Sequence, residues 1–173
     1  MAAEGDGDYI AYVTGRLPVL RRVAAQLTGD VHRGDDLVQH AITRLYVHWR
    51  RASRTDNLDA YVYRILLRAF LDERRVRWAG VRLGASGDDE PRDVSADHAG
   101  GVADRLLLRE ALASLPPRQR AVLVLRFLVD LSVEDVSGIL NISTGTVKSQ
   151  THDGLKTLRR LLDDADASRE AMS

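Results

Sequence analysis

The sequence has no cysteine among its 173 residues, which excludes a disulfide framework and any thiolate metal site and fits a reducing compartment. Aromatic residues make up 5% of the chain against 45% hydrophobic residues overall, a balance that suits two modest aliphatic helical cores better than one large aromatic core. No run approaches the ~20 apolar residues of a membrane span. The first residues, MAAEGDGDYI, lack the basic segment and apolar stretch of a secretion signal. The expectation is a soluble cytoplasmic chain without membrane insertion. Catalytic patterns are absent too: there is no phosphate-cradling glycine loop and no G-x-S-x-G. His40 and His48 would lie ~12 Å apart along a helix, too far to share a metal. Asp35-Asp36 and Asp163-Asp164 read as a helix cap and a tail. Neither enzymatic activity, cofactor, metal nor small-molecule substrate is expected.

An excess of charge is also missing, since 25 basic residues balance 25 acidic ones. The distribution along the chain is uneven, however. Residues 44–82 hold ten arginines and four acids, residues 86–104 one arginine and six acids, and residues 118–160 seven basic residues and four acids. Two basic blocks flanking an acidic one suggest two polyanion-binding modules and a linker, although solvated helix faces would also carry such charge.

The most informative stretch is residues 131–160, LSVEDVSGILNISTGTVKSQTHDGLKTLRR. Ser132 followed by Asp135 is a capping pattern, and Val136, Ile139 and Leu140 give the helix that follows an apolar face. Asn141 enters the left-handed region cheaply and can end that helix. Ser143 can cap a second helix after a turn of helix-turn-helix length. Small Ser137 belongs where the two helices approach, with Ile142 and Val147 packing between them. Thr144, Thr146, Lys148, Ser149, Gln150 and His152 remain on an open face that can hydrogen-bond phosphates or base edges. An ordinary helix pair with a solvated face is the alternative. It is weakened by the lack of Glu–Lys pairs on that face.

LPPRQRAVLVLRFLVDLSVEDVSGILNISTGTVKSQ resembles the −35 reading domain of bacterial RNA polymerase sigma factors of the extracytoplasmic-function (ECF) type, through Leu115-Pro116-Pro117-Arg118-Gln119-Arg120, Asp130-Leu131-Ser132 and Gly145-Thr146-Val147-Lys148-Ser149. The resemblance implies −35 DNA contacts from Arg118, Thr144, Thr146, Lys148, Ser149, Gln150, His152 and Lys156. Gln150 and Asp153 stand where the family commonly has arginine, and Asp153 would repel phosphates. The second expected helix, opened by Asp35 or Asp36 and running to about residue 51, carries Leu37, Ala41, Leu45 and Trp49 as a core stripe. It resembles the family's polymerase-gripping segment, which implies docking on the clamp of the largest subunit through Asp36, Leu37, Gln39, His40 and Arg44. His40 replaces the usual glutamate.

Taken in order, residues 8–27 read as a first helix with a bend or break near Gly15–Pro18. A third helix, capped by Asp56 with Asp59 three residues on, buries Leu58, Val62, Ile65, Leu66 and Ala69. Tyr61, Tyr63, Arg64, Arg68, Arg74, Arg75 and Arg77 can point outward and interleave aromatics with arginines, which suits unpaired DNA, the alternative being that Tyr61 and Tyr63 are core-edge aromatics. This helix resembles the family's −10 element reader, and the resemblance adds the preceding Arg51, Ser53, Arg54 and Asn57 as a pocket for a flipped base. Arg68 replaces the family's usual asparagine. Residues 80–103 hold five of the 13 glycines and read as a flexible acidic linker. Asp104 caps a further helix with Leu106, Leu107, Ala111 and Leu112 inward, Pro116-Pro117 ends it, and residues after Leu162 fray. The expected fold is all-α: residues 1–79 form one domain (sigma region 2), 80–103 the linker, and 104–173 a four-helix helix-turn-helix domain (sigma region 4). By resemblance the partners are core RNA polymerase, at its largest-subunit clamp and its flap, promoter DNA, and a regulatory anti-sigma factor. The resemblance also implies work at the nucleoid. The rival readings are a stand-alone dimeric regulator and a polymerase-binding adaptor that does not read promoters.

Overall fold

The computed structural model describes residues 2–82 and 101–172, with side chains described from residue 5 to 76 and from 101 on. The described residues are helical throughout, without strands. Helix α1 (Ala2–Thr28) packs on α2 (Val31–Val47), a short α3 (Trp49–Ala52) follows, and α4 (Leu58–Arg82) lies against α2. In the second half, α5 (Gly101–Ala113) leads to α6 (Pro117–Leu123), which widens into a π-helical turn over Val124–Leu128. Helices α7 (Val133–Leu140) and α8 (Thr144–Ala171) complete a four-helix unit in which α5, α6 and α7 all pack on α8.

Several boundaries differ from the sequence reading, each for a local reason. Pro18 does not break α1, which continues through it. Pro18 and Thr14, whose carbonyl loses its bond, both lie on the exposed side, where water can satisfy that carbonyl. Helix α2 starts earlier than Asp35, because Asp30 is its cap and accepts from the backbone N–H of His32 at 2.7 Å and of Arg33 at 3.1 Å. Asn57, not Asp56, caps α4, its side-chain oxygen accepting from Ala60 N–H at 2.9 Å. Asp59 instead holds α1, accepting from the Tyr12 hydroxyl at 2.7 Å and from the Arg16 guanidinium. Burial and then this hydrogen bond hold the Tyr12 hydroxyl above the usual tyrosine range. In α5, which begins before Asp104, Leu106 is exposed while Leu107 is half-buried and Ala111 and Leu112 are buried. The C-terminal residues do not fray: α8 runs to Ala171, and Arg169 reaches Asp104 of α5 at 3.9 Å. Most of the expected linker lies outside the described residues, with residues 80–82 and 101–103 inside α4 and α5.

The apolar cores of the two helical halves are continuous. One apolar cluster runs from Leu20, Val23 and Leu27 of α1 through Leu66 and Phe70 of α4 into Ala121, Val122, Val124, Leu125, Val136, Ile139 and Val147 of the second half. Among the described residues, Leu112, Leu115 and Leu123 form a separate small cluster. The two halves therefore share a core, because α7 packs on α4 and α5 on α1. Two close approaches demand glycine. A Cβ on Gly34 would lie 2.9 Å from the Ala25 nitrogen, which fixes how near α2 comes to α1. Gly29 turns the chain at φ 76° with room for a Cβ only 3.0 Å from Ala113 of the second half.

Candidate nucleic-acid interface

The helix-turn-helix forms as its caps dictate. Ser132 Oγ accepts from Asp135 N–H at 3.0 Å and Ser143 Oγ from Thr146 N–H at 3.1 Å, so each helix has one orphan donor satisfied by the residue before it. Asn141 ends α7 in the left-handed region at φ 54°, ψ 51°. Ser137 sits at the joint and donates to the Ile142 carbonyl, while Val136 and Val147 are fully buried between the helices. This leaves Thr144, Lys148, Ser149, His152 and Lys156 exposed along α8, with Thr146 and Gln150 half-buried. Thr146 Oγ1 is engaged with Ser143 Oγ at 2.8 Å and Ser149 Oγ donates to the Thr146 carbonyl at 3.1 Å, so both side chains are held in place at the helix start. Arg118, exposed, opens α6 some distance along the chain.

On α4 the expected face is rotated. Buried positions are Val62, Tyr63, Leu66, Leu67 and Phe70, and Ile65 and Ala69 are only half-buried. Tyr63, read as an outward stacking residue, is 6% exposed and belongs to the core. Burial first, and then the negative charge of Asp59, raise its hydroxyl pKa. The sequence reading failed here because α4 is covered on two flanks, by α2 and by α7, so its apolar stripe is wider than one-sided periodicity implies. Tyr61 is half-buried; Arg64, Arg68 and Arg75 are exposed, and Arg74 is half-buried with its guanidinium 5.8 Å from the Phe70 ring centre. Arg51, Ser53, Arg54 and Asn57 are exposed ahead of α4, Asn57 being the cap. The side chain of Arg77 lies outside the described residues.

The expected polymerase-docking residues sit on α2. Asp36, Gln39, His40 and Arg44 are exposed on one flank, whereas Leu37 is 5% exposed and anchors the helix in the core, reaching the surface only as lining of a groove beside Asp36 and His40. A groove of about 320 Å³ brings His40 and Arg44 together with Arg51, Tyr61, Arg64 and Arg68, so the docking face of α2 runs into the arginine face of α4.

One residue that the sequence reading passed over organises the junction. Arg120 is 2% exposed, and its guanidinium donates to backbone carbonyls. Its guanidinium donates to the Leu27 carbonyl near the end of α1 at 2.6 Å, to the Leu115 carbonyl at 2.9 Å and to the Ala113 carbonyl at the end of α5. It also lies 5.7 Å from the centre of the Phe70 ring. A cation placed at two helix C-termini meets the negative ends of both dipoles. Burial, with smaller contributions from Arg74 and Arg33, lowers its pKa to about 10, so the group stays charged at neutral pH. The available signal was its place on the apolar stripe of α6, three and four residues before Leu123 and Val124.

Residues 13–80 match sigma-70 region 2, and residues 105–158 match sigma-70, region 4. The chain is 33% identical over 166 residues to an RNA polymerase sigma-E factor of Streptomyces avermitilis, covering 95% of this chain and 90% of that protein. It is 31% identical over 153 residues to the ECF RNA polymerase sigma factor SigL of Mycobacterium tuberculosis, covering 87% and 86%. Among solved structures, the sigma factor RpoE of Bartonella quintana, in complex with the anti-sigma factor NepR, superposes with a TM-score of 0.78 at 26% identity, over 90% of this chain and 97% of that one. No described helix is long and apolar enough to cross a membrane. With both regions matched in order and relatives covered over most of their length, the chain belongs to the ECF-type sigma factors of the sigma-70 family, transcription initiation factors that act with core RNA polymerase at promoter DNA.

Proposed function

We propose that residues 1–79 dock on the polymerase largest-subunit clamp and melt and read the −10 element, that residues 80–103 link the halves, and that residues 104–173 reach the flap and read the −35 element. The observation that carries this reading is the capped α7–α8 turn with its exposed polar row, paired in one chain with the exposed arginines of α4. Asp36, Gln39, His40 and Arg44 supply the clamp contact. Arg64, Arg68 and Arg75 follow the phosphates of the −10 strand, Tyr61 stacks at its edge, and Arg51, Ser53, Arg54 and Asn57 border the extruded base. In the −35 major groove, Lys148, Ser149, Gln150 and His152 meet base edges and phosphates, with Arg118, Thr144, Thr146 and Lys156 flanking them. The protein works at the nucleoid, and an anti-sigma factor restrains it.

Run-off transcription from a genomic fragment library, with core polymerase and with or without this protein, tests the reading. The expected result is new transcripts whose upstream regions share two short motifs. Co-elution with core but no transcript would instead make the chain an adaptor. A footprint on a palindrome without polymerase would make it a stand-alone regulator.

A further inference from the structure

Where the two halves meet, α4 on one side and the start of α6 with the end of α7 on the other enclose a cleft of about 610 Å³. That volume is within the roughly 300–1,000 Å³ typical of small-molecule sites. Four arginines line it from α4 (Arg64, Arg68, Arg74 and Arg75) and Arg118 faces them from α6, against a single acid, Asp72, among the described residues. Its floor is apolar, formed by Leu67 and Leu71 of α4 with Ile139 and Leu140 of α7. Gln119 and Gln150 also line it, and Gln119 Oε1 is buried without a hydrogen-bond partner. The next residue, Arg120, is a buried cation, disfavoured first by its burial and then by the positive charge of Arg74 and Arg33.

Like charges gathered around one cleft repel one another, and a ligand of opposite charge bound among them relieves that repulsion. Guanidinium groups match phosphate oxygens in forked, charge-assisted pairs, so a chain of phosphates can be gripped from both walls at once. An apolar floor suits a flat ring, and the Gln150 amide in the lining can pair with its N–H or hydroxyl groups. We propose that this cleft is a binding site for a compact polyphosphate, with a nucleoside polyphosphate the best chemical match, and that the ligand clasps the two halves together. The regulatory consequence, though not the binding, rests on the promoter reading above. Arg68 and Gln150 belong there to DNA elements ~25 base pairs apart, roughly 85 Å along B-DNA at ~3.4 Å per pair. In this structure both line the same cleft. A clasped protein therefore cannot engage both elements, and the ligand competes with promoter DNA.

Calorimetric titration of the full chain with sodium tripolyphosphate and, separately, with GTP at ~0.15 M ionic strength tests the site. Saturable one-to-one binding is expected. Tighter binding of GTP would assign the floor to a nucleobase, and equal binding would assign the site to the phosphate chain alone. Arg68→Ala with Arg75→Ala should weaken binding about tenfold or more, since two charge-assisted contacts are lost. Arg118→Ala, on the opposite wall, should weaken it as well. Arg159→Ala with Arg160→Ala, exposed on α8 and outside this cleft, should leave it unchanged. Absence of saturable binding, or equal weakening by the α8 pair, overturns the site in favour of diffuse charge, as does indifference to Arg118→Ala. The clasp is read by energy transfer between dyes on Thr14→Cys and Asp166→Cys, both exposed positions in a chain without native cysteine. Tripolyphosphate should narrow their distance distribution, and an unchanged distribution removes the clasp. If transcription fails while binding persists, the promoter reading falls and the site stands.

Discussion

Helix α4 presents charge, with Arg64, Arg68 and Arg75 exposed along a rod buried on two flanks. The α7–α8 turn presents shape, set by Ser132, Asn141 and Ser143 through bonds within a few residues of each other. The turn's conformation is a local property, while the register of α4 depends on what packs against it from residues far away in sequence. Arg120 joins the halves that carry them, since one guanidinium bonds the end of α1 and the end of α5 together and lies by Phe70 of α4. A region defined locally should tolerate changes at the junction, and one defined by packing should not.

The largest effect is therefore expected from Arg120→Ala. It leaves the Leu27, Ala113 and Leu115 carbonyls without their donor, each worth about 1–3 kcal/mol if it stays buried and unpaired. Release of a desolvated cation offsets part of this, and a net loss of about 3 kcal/mol is expected in urea unfolding. The transition should also split. Both tryptophans, Trp49 and Trp78, lie in the first half, so fluorescence follows that half alone while far-ultraviolet circular dichroism follows both. Coincident curves in the wild type and separate curves in the variant are the expected outcome. A cost below about 1 kcal/mol with curves still coincident would mean that apolar contact alone joins the halves.

The same contrast explains what could be read in advance. The helix-turn-helix was legible residue by residue, because Ser132, Ser137, Asn141, Ser143 and Val147 act on near neighbours. The row of Lys148, Ser149 and His152 followed from its register, and Asp36, Gln39 and His40 likewise fell on the open side of α2. Tyr63 was misplaced, and Leu67 and Phe70 went unread as core, because nothing within α4 announces that α7 will cover its second flank. Leu37, given a docking role, lies mostly in the core, as its apolar stripe implies. Among polar groups the competition between adjacent residues was decisive: Asn57 won the cap that Asp56 could have made, and Asp59 went to Tyr12 and Arg16. The shared core and the cleft had no signature in the sequence, since both arise from contacts between elements up to a hundred residues apart.

An intermediate effect separates the two surfaces by charge. Arg75→Ala should weaken binding of the polymerase-bound protein by a similar factor on every promoter and lower the slope of log affinity against log salt by about one. Asp153→Arg, exposed on α8 beside His152, replaces a repelling charge with an attracting one. It should tighten binding severalfold and steepen the slope by up to about two. Fluorescence anisotropy of labelled promoter duplex across a salt series measures both. If Asp153→Arg leaves the slope unchanged, that side of α8 does not face phosphate, and the recognition helix enters the groove in another rotation.

The smallest effect is expected from the caps, and it tests most directly whether the turn is the more local of the two regions. Ser143→Ala and Asn57→Ala each remove one side-chain acceptor at a helix start, worth about 1 kcal/mol of stability, and glycine at position 143 should cost only a few tenths. The consequences for function should nevertheless diverge. At α8 the lost acceptor frees Thr146 N–H and Thr146 Oγ1 together, so the first turn that carries Thr144, Lys148 and Ser149 loosens, and discrimination among −35 sequences should fall more than stability does. Helix α4 has Tyr63, Leu66 and Phe70 clamped between its neighbours, so a missing cap leaves its arginines where they were, and transcription from a fixed promoter should change little. Equal loss of −35 discrimination in both variants would show that the turn, too, is held from outside, through the core it shares with α4.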